Sequence, residues 1–439
     1  MYVSLHNSPT PADTAAPPSA GVAPAQSRSE RRRSGRVPGV VLALGLTSLF
    51  TDISSEAVTA VLPLYLTAVL GLGPVAYGFV DGIQQGTASL VRVLGGWWSD
   101  RSGRPKLVAG LGYGISAVSR VLLLPVTGVA ALTGVIAMDR VGKGLRTGPR
   151  DAMIAGASTP EHLGRNFGVH RALDTAGAVA GPLLAFGVLA AVPAGLAGYR
   201  AVFVLSIAAA VAGLAVLLLA VPNRVRTRAA AGGQTAEPAR RWHWRDLADR
   251  RLRSLVLASA LLGLLTVGDG FLYLVLADAG GIGLTWFPLL MVGTNAAYFA
   301  LAVPVGRLAD RIGRTRVLLG GHVLLVVAYA VAATTGGHVA GVVAVLLLLG
   351  CFYAATDGVV SALASQAVPE GSRATSIASV QTAVGLSRFA SSVCFGVLWQ
   401  LTGRSVALLA VGVALAVAVP VAARLLRPAP TVVRVGGAS

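Results

Sequence analysis

The chain has 439 residues, 54% of them hydrophobic and only 12% charged, with a formal net charge of +18 and a mean hydropathy of +0.72. Soluble proteins carry about 25% charged residues, so the composition excludes a soluble class and implies repeated membrane crossing. The basic residues lie between apolar segments rather than on one solvated face, which argues against nucleic acid as a partner and matches the positive-inside rule.

Residues 1–37 are rich in Pro, Ala and Ser and end in the cluster RSERRRSGR, which leads straight into an apolar stretch of spanning length. This reads as a disordered cytoplasmic tail and not as a cleaved signal peptide. A helix needs about 20 apolar residues to cross the hydrocarbon layer. That length predicts twelve spans, at 38–62, 74–98, 105–126, 129–153, 164–190, 199–221, 253–277, 283–306, 315–334, 338–366, 372–398 and 403–427. The short loops after even-numbered spans hold Arg101, Arg104, Lys106, Arg165, Arg307, Arg311, Arg314 and Arg316, whereas those near Gly71, Gly128 and Gly281 are almost free of Lys and Arg. The bias places both termini, including the tail 428–439, in the cytoplasm. The longest connection, 223–253, has nine arginines against Glu237, Asp246 and Asp249. Its second part, RRWHWRDLADRRLRS, has the composition of a basic amphipathic helix on an anionic leaflet. The connection divides the chain into halves of six spans, 38–222 and 254–427.

Charges inside spans are costly, about 2.5 to 3.5 kcal/mol each at a helix centre, and mark function or structural ion pairs. Asp52 and Glu56 lie one turn apart on the first span. Carboxylates so close do not easily both ionise, which is the property of a protonatable site. Asp81 and Arg92 on the second span are about 16 Å apart along the helix and need different partners. On the fourth span Asp139, Lys143, Arg146 and Arg150 share one face, with Arg140 beside them and Pro149 near the end. Arg120, Arg171 and Asp174 complete the first half, and Asp269, Asp357 and Arg388 belong to the second. The weight of charge assigns ion coupling to the N-terminal half, with Asp52, Glu56, Arg140 and Asp174 as proton-coupling candidates, and substrate contact to the C-terminal half. Asp81, Arg92, Lys143, Arg146, Arg150, Asp269, Asp357 and Arg388 are candidates to line a substrate cavity; the cationic face of the fourth span suits an organic phosphate or carboxylate. Each of these charges also has a purely structural reading as a helix-locking ion pair. Cys351, Cys394 and the scattered histidines have no ligand spacing, so neither a metal site nor a cofactor is expected. No phosphate-cradling G-x4-G-K-[ST] run exists for ATP, and no nucleophile, base and orienting group occur at a spacing that points to an enzyme.

The halves repeat: GGWWSDRSGRPK around Asp100 matches VGRLADRIGRTR around Asp310 at an offset of 210 residues, a mark of duplicated transporters. Here the chain resembles the major facilitator superfamily across 38–427. The loop signature of that family appears as Gly96, Asp100, Arg101, Gly103 and Arg104, and again as Gly306, Asp310, Arg311, Gly313 and Arg314, with the final basic residue displaced by one position in both copies. The fifth span is similar to the glycine motif of its drug:proton antiporters at Gly168, Gly177, Gly181 and Pro182, with Ala185 and Phe186 in place of the last glycines. Arg140 and Gly144 resemble the family motif implicated in proton transfer. The resemblance implies an all-α membrane protein of twelve transmembrane helices in two pseudo-symmetric six-helix halves. It further implies loops that gate the halves, a helix-packing role for the fifth-span glycines, and proton-coupled export of a small molecule by alternating access from the cytoplasmic membrane, by a monomer. Transport of a small organic anion or a metal ion, and a non-transporting membrane sensor, are the alternatives.

Overall fold

A computed structural model of the chain describes residues 37–126, 128–192, 195–223, 249–280, 282–283, 285–367 and 373–427, without the side chains of Val93, Asp100, Pro160, Arg373, Ala374 and Thr375. The expected N-terminal tail up to residue 36, linker residues 224–248, the pair Pro369 and Glu370, and the tail 428–439 lie outside the described residues. Six helices form the first half: α1 Gly39–Leu64, α2 Pro74–Ser102, α3 Pro105–Leu122, α4 Val129–Gly156, α5 Leu163–Ala191 and α6 Leu196–Ala220. The second half holds α7 Arg250–Leu264, α8 Asp269–Gly280, α9 Pro288–Ile312, α10 Arg314–Thr334, α11 Val339–Gln366, α12 Arg373–Thr402 and α13 Arg404–Leu425. Each expected span is therefore helical, and α7 with α8 together make the seventh.

The local sequence explains the ends. Proline opens α2, α3 and α9 at the first turn, where its fixed φ suits the helix and its missing N–H costs nothing. Gly103 closes α2 at φ 60° and Gly313 closes α9 at φ 99°, so the two loop signatures do supply the left-handed residue their turns require. Asp249 caps α7, accepting from the backbone N–H groups of Arg251 at 2.7 Å and Leu252 at 3.4 Å. The last residues of the stretch read as a surface helix thus belong to the seventh span. At the end of α6, Lys106 Nζ donates to the Leu218 and Val221 carbonyls at 3.0 and 2.5 Å and to Asn223 Oδ1 at 2.9 Å.

The packing shows the pseudo-symmetry. In the first half α1 packs on α5 and α6, α2 on α4, and α3 on α4 and α6; in the second α7 packs on α12 and α13, α9 on α11, and α10 on α11 and α13. Between halves α2 meets α12 and α5 meets α9; these contacts exchange when the halves are interchanged. Nine of the helical segments among the described residues are long and apolar enough to cross a membrane by themselves. The three that fall short, α2, α3 and α4, carry most of the charges of the first half and pack on one another, which buries Asp81, Arg120, Asp139 and Arg146.

The seventh span was expected to be continuous over 253–277, and it is not: residues 265–268 are unwound. Tyr329 Oη accepts from the Val267 N–H at 2.8 Å and donates to the Leu265 carbonyl at 3.3 Å, and Ser391 Oγ donates to the Thr266 carbonyl at 3.0 Å. Irregular backbone at membrane depth persists only where protein satisfies it in this way. A side chain on Gly268 would run into the Asp81 carboxylate, which explains glycine at the break.

Candidate functional site

α1 and α4 run antiparallel, and their facing residues form a ladder. Arg150 Nη1 donates to Ser48 Oγ at 3.2 Å, Arg146 Nη2 lies 3.9 Å from Asp52 Oδ1, Lys143 Nζ lies 3.4 Å from Glu56 Oε1, and Arg140 Nη2 donates to Thr59 Oγ1 at 3.3 Å. Position numbers rise on α1 as they fall on α4, in steps of three or four, because both helices present one stripe to the contact. α5 closes one side: Asp174 lies 3.4 Å from both Arg150 and Arg171, and His170 Nε2 is hydrogen-bonded to Ser48 Oγ at 3.0 Å. α3 closes the other, with Arg120 Nη2 at 2.9 Å from Asp139 Oδ2 and the Tyr113 ring 4.6 Å from the Arg146 guanidinium.

The carboxylates of the ladder are held unequally. Asp139 lies within 2.9 Å of Arg120 and 3.5 Å of Arg140, with 4% of its side chain exposed. Asp174 has two guanidiniums. Asp52 lies 3.9 Å from Arg146 with Lys143 also in its field, and Glu56 lies 3.4 Å from Lys143, distances beyond the 2.7–2.9 Å of a charge-assisted hydrogen bond. Asp52 also faces the Asp174 carboxyl group. Two like charges compete for one position there.

The fifth-span glycines divide. A Cβ on Gly177 would meet the Leu49 carbonyl oxygen at 2.5 Å, and one on Gly181 would meet the Ala57 nitrogen at 2.8 Å, so these two let α5 approach the α1 backbone directly beside the ladder. Pro182 is buried in the same helix. Gly168 meets nothing within 4 Å, and the packing role expected of it is not fulfilled.

Across the interface between halves, Asp81 and Arg92 of α2 find separate partners on α12. Ser392 Oγ donates to Asp81 Oδ2 at 2.6 Å, and Arg92 Nη1 donates to Gln381 Oε1 at 2.9 Å. Tyr353 Oη donates to Asp269 Oδ1 at 2.6 Å, and the Arg388 guanidinium lies 6.0 Å from the centre of the Tyr353 ring. Beneath these groups is a cavity of about 330 Å³, lined among others by Arg92, Arg388, Asp357, His322, Gln381 and Ser259. Arg388 Nε and Ser259 Oγ are buried without a hydrogen-bond partner. At the end of α2 near Pro74 an aromatic layer joins the halves: Tyr77 on Phe271 at 4.6 Å, with Phe395 and Trp399 behind at 4.9 and 5.6 Å from Phe271.

Of the residues expected around a cavity, Arg92, Asp357 and Arg388 line this one, and Asp81 and Asp269 sit at the adjoining helix break. Lys143, Arg146 and Arg150 do not, because each is engaged on the ladder by a carboxylate of α1, α4 or α5. In the signature loops Arg314 pairs with Asp310 of its own loop at 3.2 Å and Arg101 lies 5.7 Å from the Trp97 ring; the Asp100 side chain lies outside the described residues. Among the described residues no contact of Arg101, Arg104, Arg311 or Arg314 bridges the halves. Ser48, His170 and Tyr329 are members of these clusters that did not stand out as site residues in the sequence.

The Major Facilitator Superfamily model matches residues 44–296 and 270–438, and that span includes the ladder, the broken seventh span and the cavity. The chain belongs to the Major Facilitator Superfamily. It is 29% identical over 380 residues to an uncharacterised MFS-type transporter of Methanocaldococcus jannaschii, covering 82% of this chain and 89% of that one. An uncharacterised protein of Mycobacterium tuberculosis is 32% identical over 154 residues, 34% of this chain and 36% of the other. Among solved structures, the nucleoside transporter NupG superposes with a TM-score of 0.73 at 14% identity, covering 89% of this chain and all of that one. A POT family transporter in complex with 5-aminolevulinic acid gives 0.72 at 13% identity, with 88% and 96% covered. At such identities the structures share the fold alone. This superfamily member is a membrane transporter with twelve transmembrane helices in two six-helix halves.

Proposed function

We propose that this transporter couples the movement of a small molecule to protons at the α1–α4–α5 ladder, exporting its cargo by alternating access across the cytoplasmic membrane. The observation that carries the reading is the unequal hold on the carboxylates. Asp139 is bound too closely by guanidiniums to exchange them for a proton, whereas Asp52 stands 3.9 Å from Arg146 and faces Asp174. A proton on the Asp52–Asp174 pair, with Glu56 as its neighbour one turn on, replaces like-charge repulsion by a shared hydrogen bond and frees Arg146 and Lys143 from α1. Since Gly177 and Gly181 hold α5 against α1 at that level, the change in charge acts on the packing of the half itself. Alternating access then moves the first half against the second about the α2–α12 and α5–α9 contacts.

The aromatic layer closes one side and the cavity lies on the other, toward the signature loops; with those arginine-rich loops in the cytoplasm this is an inward-open state. The cargo reading that the cavity favours is a small polar anion, because among the described residues Arg388 Nε and Ser259 Oγ have no hydrogen-bond partner there and Arg92 is hydrogen-bonded to the neutral Gln381 amide. The gradient-driven reading is tested in proteoliposomes holding a pH-sensitive dye, while a panel of small acids, neutral analogues and amines is added. Compound-dependent proton movement with the acids is the expected result. Absence of proton movement with every compound, despite correct insertion, favours a non-transporting sensor and defeats the reading.

A further inference from the structure

A second concavity lies apart from the ladder and the substrate cavity, at the start of α7 and the end of α13, and it has a volume of about 980 Å³ between α7, α10, α11 and α13. Its walls carry Arg250, Arg251 and Arg253 from the first turn of α7 and Arg424 and Arg427 from the end of α13. The acid among the lining residues, Asp249, is occupied in capping α7. Among the described residues none of the five guanidiniums has an ion-pair partner. Like charges gathered around one groove repel, and an anion relieves them.

The helix geometry says more about that anion. Arg250, Arg253, Leu257 and Leu264 follow one another at spacings of three, four and seven, so one stripe of α7 passes from cationic to apolar as it descends from the face. Leu257 and Leu264 are 52% and 41% exposed, and the apolar lining of the groove, Leu255, Leu363, Ala367 and Leu426, belongs to or packs against a small core that includes Leu252 and Val380. A cationic rim above an exposed leucine track fits a molecule with a phosphate at one end and hydrocarbon at the other. The chain's own adjoining segments fit poorly: residues 224–248 hold six arginines against Glu237 and Asp246, and 428–439 hold Arg434 and no acid. We infer that this groove binds the headgroup of an anionic phospholipid, with its acyl chains running down α7 past Leu257 and Leu264.

The test uses the full-length protein in detergent, given equal amounts of phosphatidylglycerol and phosphatidylcholine, with retained lipid read by native mass spectrometry. Wild type is expected to retain the anionic lipid preferentially, with the preference falling about fivefold for each arginine removed. Two double variants on opposite walls, Arg424→Gln with Arg427→Gln and Arg250→Gln with Arg253→Gln, should each reduce it, and Arg311→Gln with Arg316→Gln, on the same face outside the groove, should not. Thermal unfolding in lipid-free detergent establishes that the variants are folded, and the second wall serves if the first variant is not. Equal retention of the two lipids by wild type, an unchanged preference in a folded groove variant, or an equal loss in the control pair overturns the assignment. Displacement of the lipid by inorganic phosphate would show a site for free phosphate instead and overturn the lipid source.

Discussion

Replacing Asp139 by Asn keeps the shape of the side chain and removes the charge 2.9 Å from Arg120 and 3.5 Å from Arg140. The Arg120 and Asp139 side chains are 5% and 4% exposed, so no water replaces the lost partner. Removing one member of such a buried pair costs about 3–5 kcal/mol, mostly from the cation left behind. Asp52→Asn is a different case. Its contact with Arg146 is 3.9 Å long, Arg146 keeps the Tyr113 ring at 4.6 Å, and the repulsion from Asp174 disappears with the charge; a cost of about 1 kcal/mol follows. Equilibrium unfolding of the full-length protein in mixed micelles should therefore separate the two variants by roughly 2–4 kcal/mol. Arg120→Met combined with Asp139→Leu, which removes both charges, should recover at least half of the Asp139→Asn loss. Equal costs for Asp139→Asn and Asp52→Asn, or no recovery in the double variant, would refute the division of the ladder into structural and exchangeable pairs.

Tyr329→Phe strands the Val267 N–H and the Leu265 carbonyl at the helix break and should destabilise by about 1–3 kcal/mol, measured by the same unfolding assay; an effect below 0.5 kcal/mol would mean the break is held by other groups. Gly181→Val places a Cβ 2.8 Å from the Ala57 nitrogen and should cost about 1–3 kcal/mol by overpacking, whereas Gly168→Val, with nothing within 4 Å, should stay within about 0.5 kcal/mol. In a chain with Cys351 and Cys394 changed to Ser, Ser259→Cys should react about tenfold faster with an anionic than with a cationic methanethiosulfonate of equal size, relative to a free thiol. Adding Arg388→Gln should abolish that ratio, and a faster reaction with the cationic reagent would exclude an anion-selecting cavity.

The spans were legible because membrane-crossing length is a property of one segment at a time; the start of the seventh was not, because Asp249, its cap, sits in a basic run with the composition of a surface helix. The break in the seventh span was masked by its hydropathy; the run Thr266, Val267, Gly268, Asp269 and Gly270 carried the signal, as polar and flexible residues in the middle of an apolar stretch. Composition identified Lys143, Arg146 and Arg150 as cations of the fourth span and even placed them on one face. It could not say that the facing stripe of α1 carries Ser48, Asp52, Glu56 and Thr59, because that depends on which two helices meet and in what register. Uncharged members such as Ser48 and His170 were invisible for the same reason. Gly177 and Gly181 shared a motif with Gly168, yet only a neighbouring backbone gives a glycine a packing role, and α1 passes the first two alone.

The most direct test of proton coupling at the ladder compares Asp52→Asn with Glu56→Gln in one chain against wild type, in proteoliposomes loaded with a transported acid from the panel. Export driven by an imposed pH difference should be lost in the double variant, while exchange of labelled for unlabelled acid at equal pH continues. Export driven by the pH difference at the wild-type rate, with both carboxylates replaced, would contradict the account.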